Sequence, residues 1–548
     1  MEKMNLSASP FNILAGIKDP EEIGRRIAGM VRTIGEDHFR RRAAKEIVAG
    51  TRPQEAVPDI YGPYRPLVRD GVQFFLAHLP LQRLTDVIVH QLLMDPDSST
   101  RERLLELAKQ FPTLHKLGQI IARNPNLESG MKQWLVRLEN GSYGTAPGAL
   151  LDHIHCRLGQ KNGRQQVKID PYILSEASVG AVIPFRQNGD QGVFKVLKPG
   201  IRTNLATELD IFEKMAVHFD SNRQNYALRN FQFLKVFDDV REILGKEIDL
   251  RAEQSHLSSA AEFYGDTEEI VVPELYGLSD KTMTAMAFIP GEKISDADLT
   301  EMQRKACARV LAESLICRPI FATEEPALFH GDPHAGNILM VEDDGTGEVR
   351  IALLDWSLAG YLTRRVRIKI VRLIQSVIAD DAALICKCLQ NLAETGHKKR
   401  GVSRTALWRN VSKWITTAEY ANSSLMRKAF WLLEQLSYEG VVFTSDLMLF
   451  RKAIFTLEGV LFDLYPRFDL DTVVFQYMAG LLTEEMPRRI GNLMFFQADR
   501  AENYRSLLSN NDLQSLIMHQ YTAAVKRHVR AAADITERQF RIMQNLFN

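Results

Sequence analysis

Between Gln166 and Leu197 the apolar residues alternate, whereas on both sides they recur at helical spacing. Three short runs, PYILSEAS, GAVIPFRQ and GVFKVLK, are rich in Val, Ile and Phe. Asn188-Gly189-Asp190 joins the second to the third, and Asn-Gly supplies the positive φ angles that a tight hairpin needs. The pattern predicts a three-stranded meander set within helical sequence, which is an α+β class.

On the N-terminal side, residues 20–48 and about 72–138 carry helical patterning around a proline-rich connector (Pro53, Pro58, Pro63, Pro66). Glycine-rich loop chemistry at 140–165 suggests a boundary. After the meander come helical stretches at about 203–218 and 230–262, then strand candidates IVVPELYGL and TMTAMAFI. A helix at about 297–322 leads to ALFHGDPHAGNILM, and ILMV and VRIALLD flank the turn EDDGTGE. From Leu362 onward the pattern is helical, with Arg364, Arg365, Arg367 and Lys369 largely off the apolar face. The expected organisation is a helical region at 1–165, a sheet-bearing lobe at 166–292, a second lobe at 293–380 and a helical extension at 381–548.

Composition narrows the function. Lys+Arg and Asp+Glu both number 68, which argues against broad binding to nucleic acid. Five cysteines without a CxxC pair exclude a disulfide scaffold and a thiolate zinc site. Neither an export-signal pattern nor a spanning apolar stretch is apparent, so a cytoplasmic chain is expected. Peripheral contact with the inner membrane face stays open through the basic tail VKRHVRAAADITERQFRIMQNLF, which reads equally as a helix packed on the body.

The densest chemistry is His330-Gly331-Asp332-Pro333-His334-Ala335-Gly336-Asn337, followed by Leu353-Leu354-Asp355. Kinase-type phosphotransferases place an Asn five residues after the acid that orients the acceptor, and a metal-binding Asp after the next strand pair. Asp332, Asn337 and Asp355 have that spacing, and a hairpin would return Asp355 beside Asn337. Their oxygens suit Mg²⁺. A plain turn is one competing reading, and a His330–Asp332–His334 transition-metal site is another, though it lacks an evident further ligand. Lys195 lies on the third run, facing away from Phe194 and Val196, where it would meet phosphate. Glu247 and Glu253, on one expected long helix, would point in different directions and serve two cations. Ser175 to Gly180 stands where a kinase has its glycine-rich loop but holds a single glycine, so Ala177, Ser178 and Gly180 are the candidate nucleotide-loop residues.

Together these motifs resemble the UbiB/AarF family of atypical protein-kinase-like proteins. HGDPHAGN is similar to its HxDPHPGN pattern, LLDWS to its LDFG, FKVLKPGI to its KVQRPGI strand and EIDLRAE to its ExDxxxE arrangement. Lys116-Leu117-Gly118-Gln119 looks like its KxGQ signature, so the resemblance spans about residues 100–360. It implies a bilobal kinase-like fold, with a small antiparallel-sheet N-lobe, a helical C-lobe and helical extensions at both ends. ATP and Mg²⁺ are the implied cofactors. Lys195 would contact phosphates and pair with Glu253, Asp332 would be the catalytic acid, and Asn337 and Asp355 would hold magnesium. Lys116 would pair with Glu247, with Gln119 beside it, on the acceptor side. The family implies an ATPase or a kinase of small-molecule or lipid-related acceptors, often linked to isoprenoid quinone biosynthesis. SEASVG departs from the family's AAASIGQ, and LDWS lacks the glycine after the metal Asp. A small-molecule kinase of the aminoglycoside or choline type and a non-catalytic nucleotide-binding scaffold are the alternatives.

Overall fold

The computed structural model describes residues 14, 16–57, 59–114, 147–160, 167–177, 179–222, 224, 226, 241–242, 244–341, 349–393, 404–438, 441–494, 499–515 and 517–518. Among them the first helices are α1 (Pro20–Ile34), α2 (Glu36–Thr51), α3 (Arg65–Ala77), α4 (Leu81–Leu93), α5 (Thr100–Lys109), α6 (Pro147–Gln160), α7 (Ile201–Ser221) and α8 (Leu250–Phe263). Next, α9 (Glu301–Ala312) runs through a π-turn at Glu313–Cys317 into α10 (Arg318–Phe321). Then come α11 (Arg364–Ile378), α12 (Ala382–Leu392), α13 (Arg404–Ile415), α14 (Ala418–Asn422), α15 (Leu425–Tyr438), α16 (Ser445–Leu464) and α17 (Leu470–Met494). The strands are β1 (Val167–Ile169), β2 (Ser175–Glu176), β3 (Gly180–Gln187), β4 (Asp190–Leu197), β5 (Ile270–Val271), β6 (Met283–Ala287), β7 (Gly291–Lys293), β8 (Ala327–His330), β9 (Ile338–Val341), β10 (Ile351–Leu353) and β11 (Ala359–Leu362). The chain forms two compact units, one of residues 1–252 with 275–288 and one of 253–274 with 289–548.

In the first unit an antiparallel sheet has the order β1-β3-β4-β6, with β2 on β3. Asn188 (φ 54°) and Gly189 (φ 99°) make the two-residue turn between β3 and β4. Positive φ at both centres matches the right-handed twist of the paired strands. Alternation puts Ile183, Phe185, Phe194, Val196, Met283 and Ala285 in one core with Leu150 and Ile154 of α6. A Cβ at Gly192 would lie 2.4 Å from Cζ of Phe185, its cross-strand partner, so glycine there lets the ring cover the strand. The 140–165 passage therefore contains a helix: Leu150, Leu151, Ile154 and Leu158 recur at helical spacing between its flanking glycines, and burial of that stripe outweighs the loop residues.

The helices α1 to α5 pack with α7 around Phe39, Phe75, Leu84, Phe111 and Phe212. Glu208 of α7, fully buried, accepts hydrogen bonds from Arg83 (2.7 Å) and from the hydroxyl of Thr113 (2.6 Å). Burial pushes its carboxyl up, and those two partners pull it back.

In the second unit a sheet of order β5-β10-β9-β7 lies with a two-stranded ribbon of β8 and β11. Among the described residues of that sheet, only the β5–β10 pair is parallel. Thr300 and Gln303 form a reciprocal capping box at the start of α9. On α11 the apolar Ile370, Leu373 and Val377 are buried, as the pattern required. Arg367, expected on a solvated face, is buried as well. Its guanidinium reaches the carbonyls of Ala322 and Glu324 and the carboxylate of Glu325, so it closes the loop before β8. On α17, buried Arg489 meets Glu485 (2.9 Å), Ser506 Oγ (2.7 Å) and the carbonyl of Leu508 (2.8 Å), fastening the following segment. No helix among the described residues is long and apolar enough to cross a membrane.

Candidate active site

All four residues of β8 are buried, and the strand delivers His330 to the start of the Gly331–Asn337 loop. Its partner β11 pairs in the register Ala359↔His330, and the Gly331 N–H donates to the Leu358 carbonyl at 2.8 Å. Two glycines permit this closeness. A Cβ at Gly331 would sit 2.9 Å from the Leu358 oxygen, and one at Gly360 would sit 2.3 Å from Cζ of Phe329.

The loop is held by its own polar groups. The N–H of His334 donates to the Asp332 carbonyl (2.8 Å), and that of Asn337 donates to the His334 carbonyl (2.9 Å). Asn337 Nδ2 also donates to the Asp332 carbonyl (3.2 Å), which turns the amide oxygen the other way. His334 Nδ1 accepts from Gly336 N–H (3.0 Å) and caps the single 3₁₀ turn Ala335–Asn337.

From Ile338 the chain enters β9, and β10 returns antiparallel with Leu353 opposite Ile338. The Leu354 N–H then donates to the Asn337 carbonyl at 2.8 Å. The apolar runs ILMV and IAL thus bring Asp355 back to the loop that holds Asn337. Asp355 lies in the left-handed region at φ 53° and its Oδ1 accepts from Ser357 N–H (3.2 Å). An Asp tolerates that backbone because its short side chain bonds locally. Trp356, next along, is fully buried, with Nε1 donating to the Leu353 carbonyl (3.2 Å). His256 of α8 bonds the Trp356 carbonyl through Nδ1 at 3.1 Å.

His330 joins the two halves. Its Nε2 lies 2.9 Å from the Leu354 carbonyl, and its Nδ1 lies 3.1 Å from the backbone nitrogen of Asp332. A carbonyl only accepts and an N–H only donates, so the ring is neutral with its proton on Nε2. Burial holds its pKa below the ordinary value, opposed by the Leu354 carbonyl and by the charges of Asp332 and Asp355. Both ring nitrogens are thereby engaged in backbone scaffolding, which removes His330 from any metal-ligand set. Among the described residues no three His, Cys, Asp or Glu side chains gather as a metal cluster.

The remaining predicted residues separate by unit. Lys195 is half-buried on β4, paired laterally with Val182 and Thr284, while Phe194 and Val196 fill the opposite face. Ala177 N–H donates to the Gly180 carbonyl (2.8 Å), closing the turn expected to form the nucleotide loop, and Glu176 there pairs with Lys198 Nζ at 2.9 Å. Burial lowers the Lys198 pKa. The long helix expected to carry both glutamates is broken at residues 248–249. Asp249 starts α8 anew, its Oδ1 accepting from Ala252 N–H (3.2 Å). Glu247 precedes the break in the first unit, and Glu253 follows it on α8, buried in the second. Lys116, Gln119 and Ser178 lie outside the described residues.

One neighbour of Asp332 had no signal in the sequence. Lys452 of α16 places Nζ 3.1 Å from Asp332 Oδ1.

Residues 152–389 match the family described as the ABC1 atypical kinase-like domain. The chain carries an ABC1 atypical kinase-like domain. The α+β fold is accordingly protein-kinase-like, and the ABC1 region contains Lys195, Glu247, Glu253, Asp332, Asn337 and Asp355. An uncharacterized protein of Synechocystis is 24% identical over 458 residues, 78% of this chain and 75% of that protein. A probable protein kinase UbiB of Cellvibrio japonicus is 23% identical over 404 residues, 73% of this chain and 72% of its own. A solved complex of Rv3197 with erythromycin, from Mycobacterium tuberculosis, aligns with TM-score 0.40 at 17% identity over 66% of this chain and 85% of that one, too loose a likeness to bear on the site.

Proposed function

We propose that the protein is an ATP-dependent phosphotransferase or ATPase of the UbiB/AarF type, acting on a small-molecule or lipid-related target in isoprenoid quinone or lipid metabolism. The observation that carries this reading is the hairpin return that joins the loop of Asp332 and Asn337 to the strand end bearing Asp355. Asn337 and Asp355 offer hard oxygen donors of the kind Mg²⁺ takes alongside nucleotide phosphates, and Asn337 is oriented by its bond to Asp332. Bound magnesium would neutralise phosphate charge. Asp332 would then orient the acceptor hydroxyl and receive its proton.

In this reading Lys195 contacts the phosphates and pairs with Glu253, and Ala177, Ser178 and Gly180 form the nucleotide loop. Lys116 and Gln119 would cap the acceptor side with Glu247. Nucleotide is the expected partner, with peripheral contact at the inner membrane face through the basic tail. The test is a thermal-shift titration with Mg-ATP and Mg-ADP, followed by ATP turnover with quinone-like phenols, lipids, aminoglycosides and choline in parallel. Mg-dependent binding with turnover stimulated by phenols or lipids supports the proposal. Turnover dependent on an aminoglycoside or choline overturns the acceptor class, and no Mg-nucleotide binding overturns the whole.

A further inference from the structure

The ion pair between Lys452 and Asp332 joins the catalytic loop to a helix outside the ABC1 domain. Both partners lie in the second unit, and their side chains are partly sheltered, at 35% and 13% exposure. The helix that carries the lysine is seated by specific contacts. Thr444 caps its first turn. One turn later Phe450 packs edge-on against Phe329 of β8, with centroids 5.0 Å apart. The absence of side chains at Gly331 and Gly360 leaves room for α16: Leu449 Cδ2 and Asp446 Oδ1 lie 3.0 Å and 3.1 Å from where those Cβ atoms would be. Ala453 and Ile454 are buried directly after the lysine. The adjacent cation, Arg451, is directed to Glu434 on α15 instead. Successive turns of α16 thus lie along the β8–β11 ribbon, and Lys452 is the residue they present to Asp332.

We propose that Lys452 is a positioning residue of the phosphotransfer site, supplied by the C-terminal extension, which fixes the direction of the Asp332 carboxylate toward the acceptor. The inference rests on the phosphotransferase reading above. A carboxylate that receives a hydroxyl proton works only at hydrogen-bond distance and correct angle, so an ammonium group on one oxygen constrains how the other is presented. The C-terminal helices then complete the site instead of merely covering the domain.

The test compares Lys452→Met, Lys452→Gln, Lys452→Arg, Asp332→Asn and the Lys452→Met/Asp332→Asn double variant in the full chain. Each is measured for Mg-ATP affinity, for kcat and KM of ATP turnover and for thermal midpoint. The expected result is a kcat about 10- to 100-fold lower in Lys452→Met and Lys452→Gln, with Mg-ATP affinity and KM for ATP unchanged. Lys452→Arg restores kcat to within about 3-fold, and the double variant turns over no more slowly than Asp332→Asn alone, because the lysine acts through that carboxylate. A wild-type kcat in folded Lys452→Gln, or a kcat loss in the double variant that multiplies the two single losses, overturns the proposal while leaving the phosphotransferase reading standing. If Lys452→Met does not fold, the Gln–Arg pair decides. If the wild-type chain itself binds no Mg-ATP and turns none over, the functional reading fails first and the positioning role falls with it.

Discussion

Replacing His330 by Phe removes two hydrogen bonds while keeping an aromatic ring in place. The native ring is 2% exposed and 4.6 Å from the Trp356 ring, and a phenyl group can retain that contact. It cannot accept from the Asp332 N–H or donate to the Leu354 carbonyl, which His330 does at 3.1 Å and 2.9 Å. Each buried polar group left without its partner costs about 1–3 kcal/mol, so the variant should lose roughly 2–6 kcal/mol. For a unit of this size, that is a fall of about 5–15 °C in the unfolding midpoint. Function should suffer as well, since the lost bonds tie the backbone of Asp332 to the residue before Asp355. Differential scanning calorimetry and Mg-nucleotide titration on the same preparation give both quantities. His334→Ala is the control: it removes the cap of one 3₁₀ turn and should cost less than about 2 kcal/mol. A His330→Phe protein with a wild-type midpoint and wild-type Mg-nucleotide affinity would refute the bridging role.

The same histidine gives a pH signature. Its pKa is held below the unfolded value of about 6.5, so its contribution to stability is complete above that pH and is lost as pH falls through the window down to the folded value. The midpoint of the wild type should therefore drop more steeply below about pH 6.5 than that of His330→Phe, and parallel curves would contradict this. Asp355→Asn keeps a residue that tolerates φ 53° but removes the charge. It should weaken Mg-nucleotide binding about 10-fold or more with little change in midpoint, and an unchanged affinity by thermal-shift titration would count against the metal assignment. Gly360→Ala drives a methyl group to 2.3 Å from a fully buried phenylalanine ring, an overpacking of about 1–3 kcal/mol measurable by denaturant unfolding. Arg489→Met leaves the Glu485 carboxylate buried without its cation, which should cost about 3–5 kcal/mol in the same assay.

The parts of the fold that were legible are those governed by local chemistry. Asn188-Gly189 announces its hairpin because few other pairs accept that backbone, and ILMV with VRIALLD announces the return to Asn337. The ribbon of β8 and β11 was not legible. Each strand has four residues, too few for a period, and their pairing depends on two glycines whose role appears only when Leu358 and Phe329 approach them. Helix α6 is obscured by glycines at 148 and 159, whose turn chemistry masks the apolar stripe between them. The break before Glu253 has a readable sign in Asp249, a good cap, within the stretch at about 230–262 expected to be one long helix. Arg367 and Lys452 illustrate a different limit. Their partners lie 42 and 120 positions away, at Glu325 and Asp332, and no local pattern encodes a contact made by tertiary packing.

The linkage through His330 also constrains how this protein can be turned off. In a site with a free joint beside the metal-binding aspartate, that residue can swing outward and leave the loop intact. Here Trp356, the residue that would have to move with Asp355, is embedded without solvent contact and is tethered through its carbonyl to His256. The histidine couples any displacement of that strand end to the backbone of Asp332. Loop and strand end are therefore tied through one ring, and a switch that swings Asp355 outward alone would have to break the His330 bonds first.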